Sequence, residues 1–510
     1  MPALPPAPWV RAWSAARGRA RRSSGTAGPE GAEGASAGYN DAPAAAGALP
    51  QMTNDGIRMT IQTAMTNEET EPGVTGFCCK AAGIGDCRIR PRVYTRGSTT
   101  GAPCFLIGAA ALTASLLLAG CSSPPVELVE ARLAMDTEVM VRAIAPGEAA
   151  ARAAVAAAWR ELDECAFRLD CYRKPSEAWL KGEEQALKDP AQRPSDVWLI
   201  NHGAGTWSAA VDPLVTTCIA AAREMWELSG GAFDPTVGPL VDLWKRAAQE
   251  DRLPADEEMA AARALVGMDR VEVLIADVPR TPSGADMAPP ERGAPPPGPL
   301  TALAHMVGLE RGMQLDLGGI AKGYIAGRMA SRMKRAGATA GLVAAAGDVY
   351  AFGERPAALL KGGASQFWTV GVQDPRFPGD PTRLYARVRL KDQGIDTSGH
   401  YYRGFTIRGR RYSHIIDPRT GRPADVRLAS ITVVASDAAF SDALATAIAV
   451  MGAEKGLALV DQLTGVECLL LEVRLKEGES IDPDGAPPPG AELIAHRSKG
   501  FKALEVSPAD

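Results

Sequence analysis

Asp442 and Thr446 stand four residues apart in SDAAFSDALATAIAVMG, residues 436–452, a capped helical pattern that puts a carboxylate and a hydroxyl on one face. Two hard oxygens so placed suit Mg²⁺, which takes one or two protein groups and leaves its other positions to water and substrate phosphate. A helix-start Asp opposing the dipole and a Thr bonded to the preceding turn explain the same spacing. A second candidate lies in MQLDLGGIAKGYIAGRMASRMKRAG, residues 313–337. An alternating strand through Leu317 and a Gly-Gly turn lead to a helix whose Ile325, Met329 and Met333 recur every four residues. Lys322 then sits in the first helical turn, where unpaired N–H groups and its ammonium both attract an anion. Neither the P-loop spacing nor the dinucleotide fingerprint is present, and a Gly pair before a helix is by itself an ordinary turn.

Two further stretches carry functional groups. RRYSHIIDPRTGRPA, residues 410–424, is a strand closing on a D-P-x-T-G turn with His414 at its end, and that imidazole can serve as a base near neutral pH. His202, His305, His400 and His496 have no comparable setting. GGAFDPTVGPLVDLW, residues 230–244, joins a Gly pair and an Asp-Pro turn to an apolar helix; such a backbone suits close approach to a flat ligand, and a packed turn suits it equally.

The elements that must position these groups begin well inside the chain. Arg88, Arg90, Arg92 and Arg96 precede an uncharged run from Phe105 to Leu118, and small residues lead to Cys121. That is the order of a secretory leader, its apolar run short of the ~20 residues that span a bilayer. Residues 1–90 are rich in Ala, Gly, Pro, Ser and Arg without helical or strand period, so they are expected to be disordered or to precede the true translation start, near Val93 or another late site. Residues 91–120 are the expected signal peptide and 121–130 a tether. The 131–510 domain alternates helix and strand patterns: a long Ala-rich helix over 147–170, a strand over 383–390, and a short final strand. Pro/Gly-rich stretches at about 279–300 and 482–493 read as a surface insertion and a loop.

Charge and cysteine usage exclude several functions. The whole chain has 55 Lys plus Arg against 60 Asp plus Glu, net −5; residues 1–121 hold 11 of those bases and 8 of those acids, leaving the rest at −8. An acidic body does not track nucleic-acid phosphates. Cys165, Cys171, Cys218 and Cys468 show no C-x-x-C or paired Cys/His spacing, which speaks against zinc and thioredoxin-like chemistry.

Read in order, these segments resemble the ApbE family, the Mg²⁺-dependent FAD:protein FMN transferases, from Leu133 to about Leu471. The resemblance rests on Met135-Asp136-Thr137, Tyr172 with Ser176-Glu177, residues 231–236, 316–323, Ala346-Gly347-Asp348, Ser398-Gly399, 414–421 and 442–446. Leu118-Ala119-Gly120-Cys121 likewise resembles a lipobox, which implies lipidation of Cys121. The family implies an α+β fold, a single T-fold-like domain of mixed or antiparallel sheets with helices and a flavin cleft. It implies FAD as substrate, bound by Met135, Tyr172, Ala232, Phe233, Asp234, Asp316, Lys322 and Ile415. Mg²⁺ is implied on Asp442, Thr446 and the main-chain oxygen of Gly319, with His414 and Asp442 as catalytic groups. The implied acceptors are flavoprotein subunits of membrane redox complexes, of NADH:quinone reductase or RNF type, met by an enzyme lipid-anchored to the inner membrane on its periplasmic side. Two positions depart from the pattern: Asp136 replaces a Gly of M-G-T, which would bring a charge near the adenine or ribose, and Ala346 replaces a Gly of G-G-D.

Overall fold

The computed structural model describes residues 124–279, 301–360, 366–399, 403–482, 485, 487, 488 and 490–506. The stretch to residue 90, the leader, Cys121 and residues 280–300 of the expected insertion lie outside them.

Eight strands form one antiparallel sheet whose spatial order repeats the chain order: β1 (Pro125–Ala134), β2 (Thr137–Pro146), β3 (Ala340–Ala345), β4 (Asp348–Phe352), β5 (Gln393–Gly399), β6 (Leu428–Ala435), β7 (Glu467–Arg474) and β8 (Glu492–Arg497). Residues 125–130, expected as a tether, are therefore strand. Their ladder with β2 runs from Pro125 opposite Pro146 to Ala134 opposite Thr137. Leu128 packs against the core, while Glu127 pairs with Arg142 at 2.9 Å, so this edge strand is half apolar and half charged.

Five helices matter for the site: α1 (Glu148–Leu169), α2 (Pro213–Leu228), α3 (Gly238–Gln249), α4 (Ala321–Arg335) and α5 (Ala438–Met451). The expected Ala-rich helix is α1, and its Ala151, Ala154, Val155, Ala158, Trp159, Leu162 and Cys165 are buried at helical spacing. Helices α1, α4 and α5 pack side by side on the large sheet. Ile325, Met329 and Met333 of α4 are at most 1% exposed, each contributing roughly 1.5–3 kcal/mol of burial. Glu161 of α1 is buried and pairs with Arg328 and Arg332 of α4, which fixes α4 at its back.

The strand expected over 313–317 does not form. Only Gln314 makes a bridge, to Val237, because the neighbouring backbone groups are satisfied elsewhere. The Asn201 amide takes both Leu315 N–H and Leu315 C=O, at 2.7 and 2.9 Å, and Asp316 N–H donates to Pro235 C=O at 2.7 Å. Pro279 pairs with Thr301, so residues 280–300 join the two strands Glu272–Pro279 and Thr301–Gly308. Residues 492 and 493, expected in the second Pro-rich loop, already belong to β8.

Candidate functional site

The site's floor is the crossing of α4 and α5. A Cβ on Gly323 would lie 2.1 Å from Ala438 C=O and 2.7 Å from Asp442 Cβ, so only glycine lets the two helices meet. The contact is used: Gly323 N–H donates to Asp442 Oδ2 at 2.9 Å. The other oxygen of Asp442 stands 3.7 Å from Lys322 Nζ, whose closer partner is Asp348. One turn further along α5, Thr446 Oγ1 lies 3.5 Å from Gly319 C=O. Helix α5 is capped by Asp437, which accepts from Phe440 N–H at 3.1 Å, so the expected capped helix forms and sets Asp442 and Thr446 on the cleft side.

Electrostatics at this floor favour a cation. Burial pushes the Asp442 carboxyl up to about 7, aided by the charge of Asp348 and opposed by Lys322. Burial likewise works against the charge on Lys322, but Asp348 and Asp442 outweigh it and hold the ammonium above the usual amine range. Asp396 is the register partner of Asp348 across β5 and β4, and is fully buried. Its Oδ2 accepts from Ser441 Oγ and its Oδ1 has no partner among the described residues; burial first, then Asp348 and Asp442, raise its carboxyl well above the ordinary range. Three buried carboxyl groups thus cluster near one ammonium, which contacts Asp348 and Asp442.

Mg²⁺ fits the oxygens present: a buried carboxylate, a hydroxyl and a main-chain carbonyl converge from Asp442, Thr446 and Gly319. Among the described residues no three His, Cys, Asp or Glu form a metal cage. That is the donor set of an ion that keeps waters and substrate phosphates as its other ligands.

Above the floor opens a cleft of about 1180 Å³, large enough for a dinucleotide. Every site residue expected from the sequence within the described chain lines it, Met135 excepted. Met135 occupies the β1–β2 turn and packs against the core. Ala232 and Phe233 are buried at the cleft wall, with Phe233 N–H bonded to Ser229 Oγ at 3.0 Å. Asp234 lines the cleft but spends its carboxylate internally. It accepts from Thr236 N–H and Oγ1 at 2.8 and 2.6 Å and from Met268 N–H at 3.2 Å, bracing the turn into α3. Asp316 Oδ1 accepts from Gly318 N–H at 2.8 Å and its Oδ2 lies 3.4 Å from the Tyr172 hydroxyl.

His414 follows the strand Arg410–Ser413, and its Nδ1 lies 3.2 Å from Arg403 C=O. A carbonyl only accepts, so Nδ1 carries the proton and a neutral ring leaves the Nε2 lone pair as its basic site. Ile415 is locked beside it, its N–H on Ser413 Oγ at 2.9 Å and its C=O taken by Ala424 N–H at 2.8 Å.

At the floor, two charged residues escaped the sequence reading. Asp348 was visible only as the last member of a turn motif, and Asp396 not at all. The available signal was an Asp in the apolar strand pattern around Ile395, which a half-buried strand carries only with a reason. The two departures also find their place. Met135 and Asp136 have φ of 53° and 57° in a two-residue turn, and Ala346 has φ 56° opening the two-residue turn between β3 and β4. Both are backbone positions that glycine fills without strain. Asp136 is exposed in that turn and does not line the cleft.

Residues 135–470 match the ApbE family. The FAD:protein FMN transferase of Treponema pallidum (strain Nichols) is 34% identical over 274 residues, 53% of this chain and 69% of that protein. That of Klebsiella pneumoniae (strain 342) is 30% identical over 277 residues, 54% and 75% of the two chains, and that of Escherichia coli (strain K12) 28% over 389 residues, 73% and 93%. Among solved structures, the apo flavinyl transferase ApbE of Pseudomonas stutzeri aligns with a TM-score of 0.54 at 24% identity, covering 74% of this chain and 97% of that one. The ApbE protein of Thermotoga maritima gives 0.52 at 27% identity, covering 75% and 100%. The α+β fold of antiparallel sheets and helices is theirs.

Proposed function

The chain belongs to the ApbE family, and from that we infer a transferase that moves flavin from FAD onto protein. In finer terms we propose that it transfers FMN to a threonine hydroxyl of an acceptor protein through a phosphoester bond, with Mg²⁺, releasing AMP. The observation that carries this reading is the convergence of Asp442, Thr446, Gly319 C=O and Lys322 at the floor of one dinucleotide-sized cleft.

The chain's own groups divide the work. Lys322, in the first turn of α4, presents its ammonium to the cleft floor, where it would meet the pyrophosphate of FAD; the N–H groups of Ile320, Ala321, Gly323 and Tyr324 are bonded within the protein, so the side chain carries this role. Bound Mg²⁺ would act as Lewis acid and template for that pyrophosphate, the main demand of phosphoryl transfer. Gly323 N–H holds Asp442 so that its second oxygen stays available. The acceptor threonine oxygen attacks the phosphorus on the FMN side, and the bond from that phosphorus to the bridging oxygen breaks. AMP departs with the bridging oxygen. The threonine proton passes to Nε2 of His414, whose Nδ1–H is anchored on Arg403 C=O.

The leader pattern before Cys121 supports lipidation at Cys121 and residence on the periplasmic side of the inner membrane, and the family resemblance supports acceptors among flavoprotein subunits of NADH:quinone reductase or RNF-type complexes. Mass spectrometry of such a subunit coexpressed with residues 122–510 should find an FMN adduct on threonine. FAD cleaved to FMN and AMP with no flavin retained on protein through denaturing electrophoresis would replace transfer by hydrolysis.

A further inference from the structure

At the mouth of the cleft three residues from distant stretches meet. Tyr172 lies just beyond α1, Lys245 on α3, and Asp316 ahead of α4. Tyr172 is 59% exposed, too open for packing to fix its ring. Polar contacts fix it instead. Lys245 Nζ donates to the Tyr172 hydroxyl at 2.6 Å and stands 4.4 Å from the ring centroid. The hydroxyl points on to Asp316 Oδ2 at 3.4 Å, and Asp316 is held in turn by Gly318 N–H beside the metal-side turn. An ammonium only donates and a carboxylate only accepts, so the phenol takes a hydrogen bond from Lys245 and gives one to Asp316.

Lys245 itself is firmly placed. The preceding residue, Trp244, is 4% exposed and donates Nε1–H to Gly421 C=O at 2.8 Å, pinning this part of α3 to the loop after His414. Among the described residues Lys245 forms no ion pair, which leaves the phenol as its engaged partner. None of the segments that carry the family resemblance includes it.

We propose that Lys245 is a positioning residue for the flavin: it clamps Tyr172 by its hydroxyl, so that the phenol ring is held in one orientation at the cleft mouth for the planar ring system of FAD. The inference rests on reading the cleft as an FAD site. A charge-assisted hydrogen bond from Lys245 and a second one to Asp316, both at the hydroxyl, remove the rotational freedom that an exposed tyrosine would lose only on binding.

The test uses the purified full-length protein and FAD alone, without Mg²⁺ or acceptor, followed by flavin fluorescence. Wild-type protein should quench the flavin on binding. Lys245→Met, which keeps the stem and removes the donor, should weaken FAD binding about tenfold and leave residual fluorescence at saturation, with a melting temperature unchanged within about 2 °C. In transfer assays the loss should fall on KM for FAD rather than on kcat, and Lys245→Arg should restore most of it. Tyr172→Phe should weaken binding similarly, and adding Lys245→Met to it should cost nothing more. Unchanged affinity and quenching in Lys245→Met, or losses that add in the double variant, would overturn the inference, the latter because Lys245 would then touch the ligand directly. Wild-type protein that binds no FAD would overturn the reading of the cleft, a result distinct from binding that ignores Lys245.

Discussion

At the floor of the cleft, α4 and α5 touch through backbone at Gly323, and Asp442 is 3% exposed. At the mouth, Tyr172 is more than half exposed and is steered by the side chains of Lys245 and Asp316. The two regions place functional groups by opposite means. The floor inherits its geometry from helix packing, so a disturbance there costs stability and chemistry together. The mouth is set by a few polar contacts, so a disturbance there changes binding while the fold stands.

The largest effect should come from Gly323→Val. The added carbons have no space beside Ala438 C=O, so α4 and α5 must part and Asp442 loses its N–H donor. Thermal unfolding should show a loss of about 3 kcal/mol, with transfer activity abolished. A variant of normal stability that merely binds flavin less well would erase the contrast between floor and mouth. Asp442→Asn separates the two costs at the floor itself. It keeps the shape, so the melting temperature without metal should not fall, while the transfer rate drops on the order of 10³-fold and the rise in melting temperature on adding Mg²⁺ with FAD disappears. If that Mg²⁺-dependent rise persists, Asp442 does not hold the ion.

These regions also differed in how readily the sequence disclosed them. The floor was readable because helical spacing is rigid: Asp442 and Thr446 at four residues, and Lys322 in the turn after a Gly pair, fix relative positions within one element. Their meeting was not readable from spacing, since it depends on Gly323 admitting α5, a contact 119 residues away in the chain. The order of motifs supplied that. Asp396 escaped because its role arises only from strand register, which sets it opposite Asp348. The missing strand at 313–317 has the same origin: the alternating pattern was real, but a side-chain amide from Asn201 took the hydrogen bonds a neighbour strand would have made. Likewise residues 125–130 of the expected tether gave way to β1 because a ten-residue ladder with β2 outweighs weak local preference.

His414 tests whether the mouth contributes to chemistry as well as binding. It is half-buried and held through Nδ1, so His414→Ala should slow transfer about 10²-fold, the range of a lost general base, while FAD affinity measured by fluorescence stays within about twofold. Equal losses in rate and affinity would make it a binding residue like Tyr172 and narrow the chemistry to the floor.

The smallest expected effects lie in the two turns where this chain departs from its family. Ala346 sits at φ 56° and is followed by Gly347, whose own Cβ would meet Thr397 C=O at 2.9 Å. The strain thus falls on Ala346, at a position of the β3–β4 hairpin turn that favours glycine. Ala346→Gly should stabilise by roughly 1 kcal/mol, the left-handed penalty of alanine less the extra chain entropy of glycine. Asp136→Gly should gain less, about 0.5 kcal/mol, because aspartate tolerates φ 57° better than alanine tolerates 56°. Neither substitution should alter FAD affinity, since Asp136 stands outside the cleft and Ala346 lines it with a single methyl. Should Asp136→Gly change affinity as much as Lys245→Met, the mouth would extend to the β1–β2 turn, and the boundary between backbone-set and side-chain-set placement would have to be drawn elsewhere.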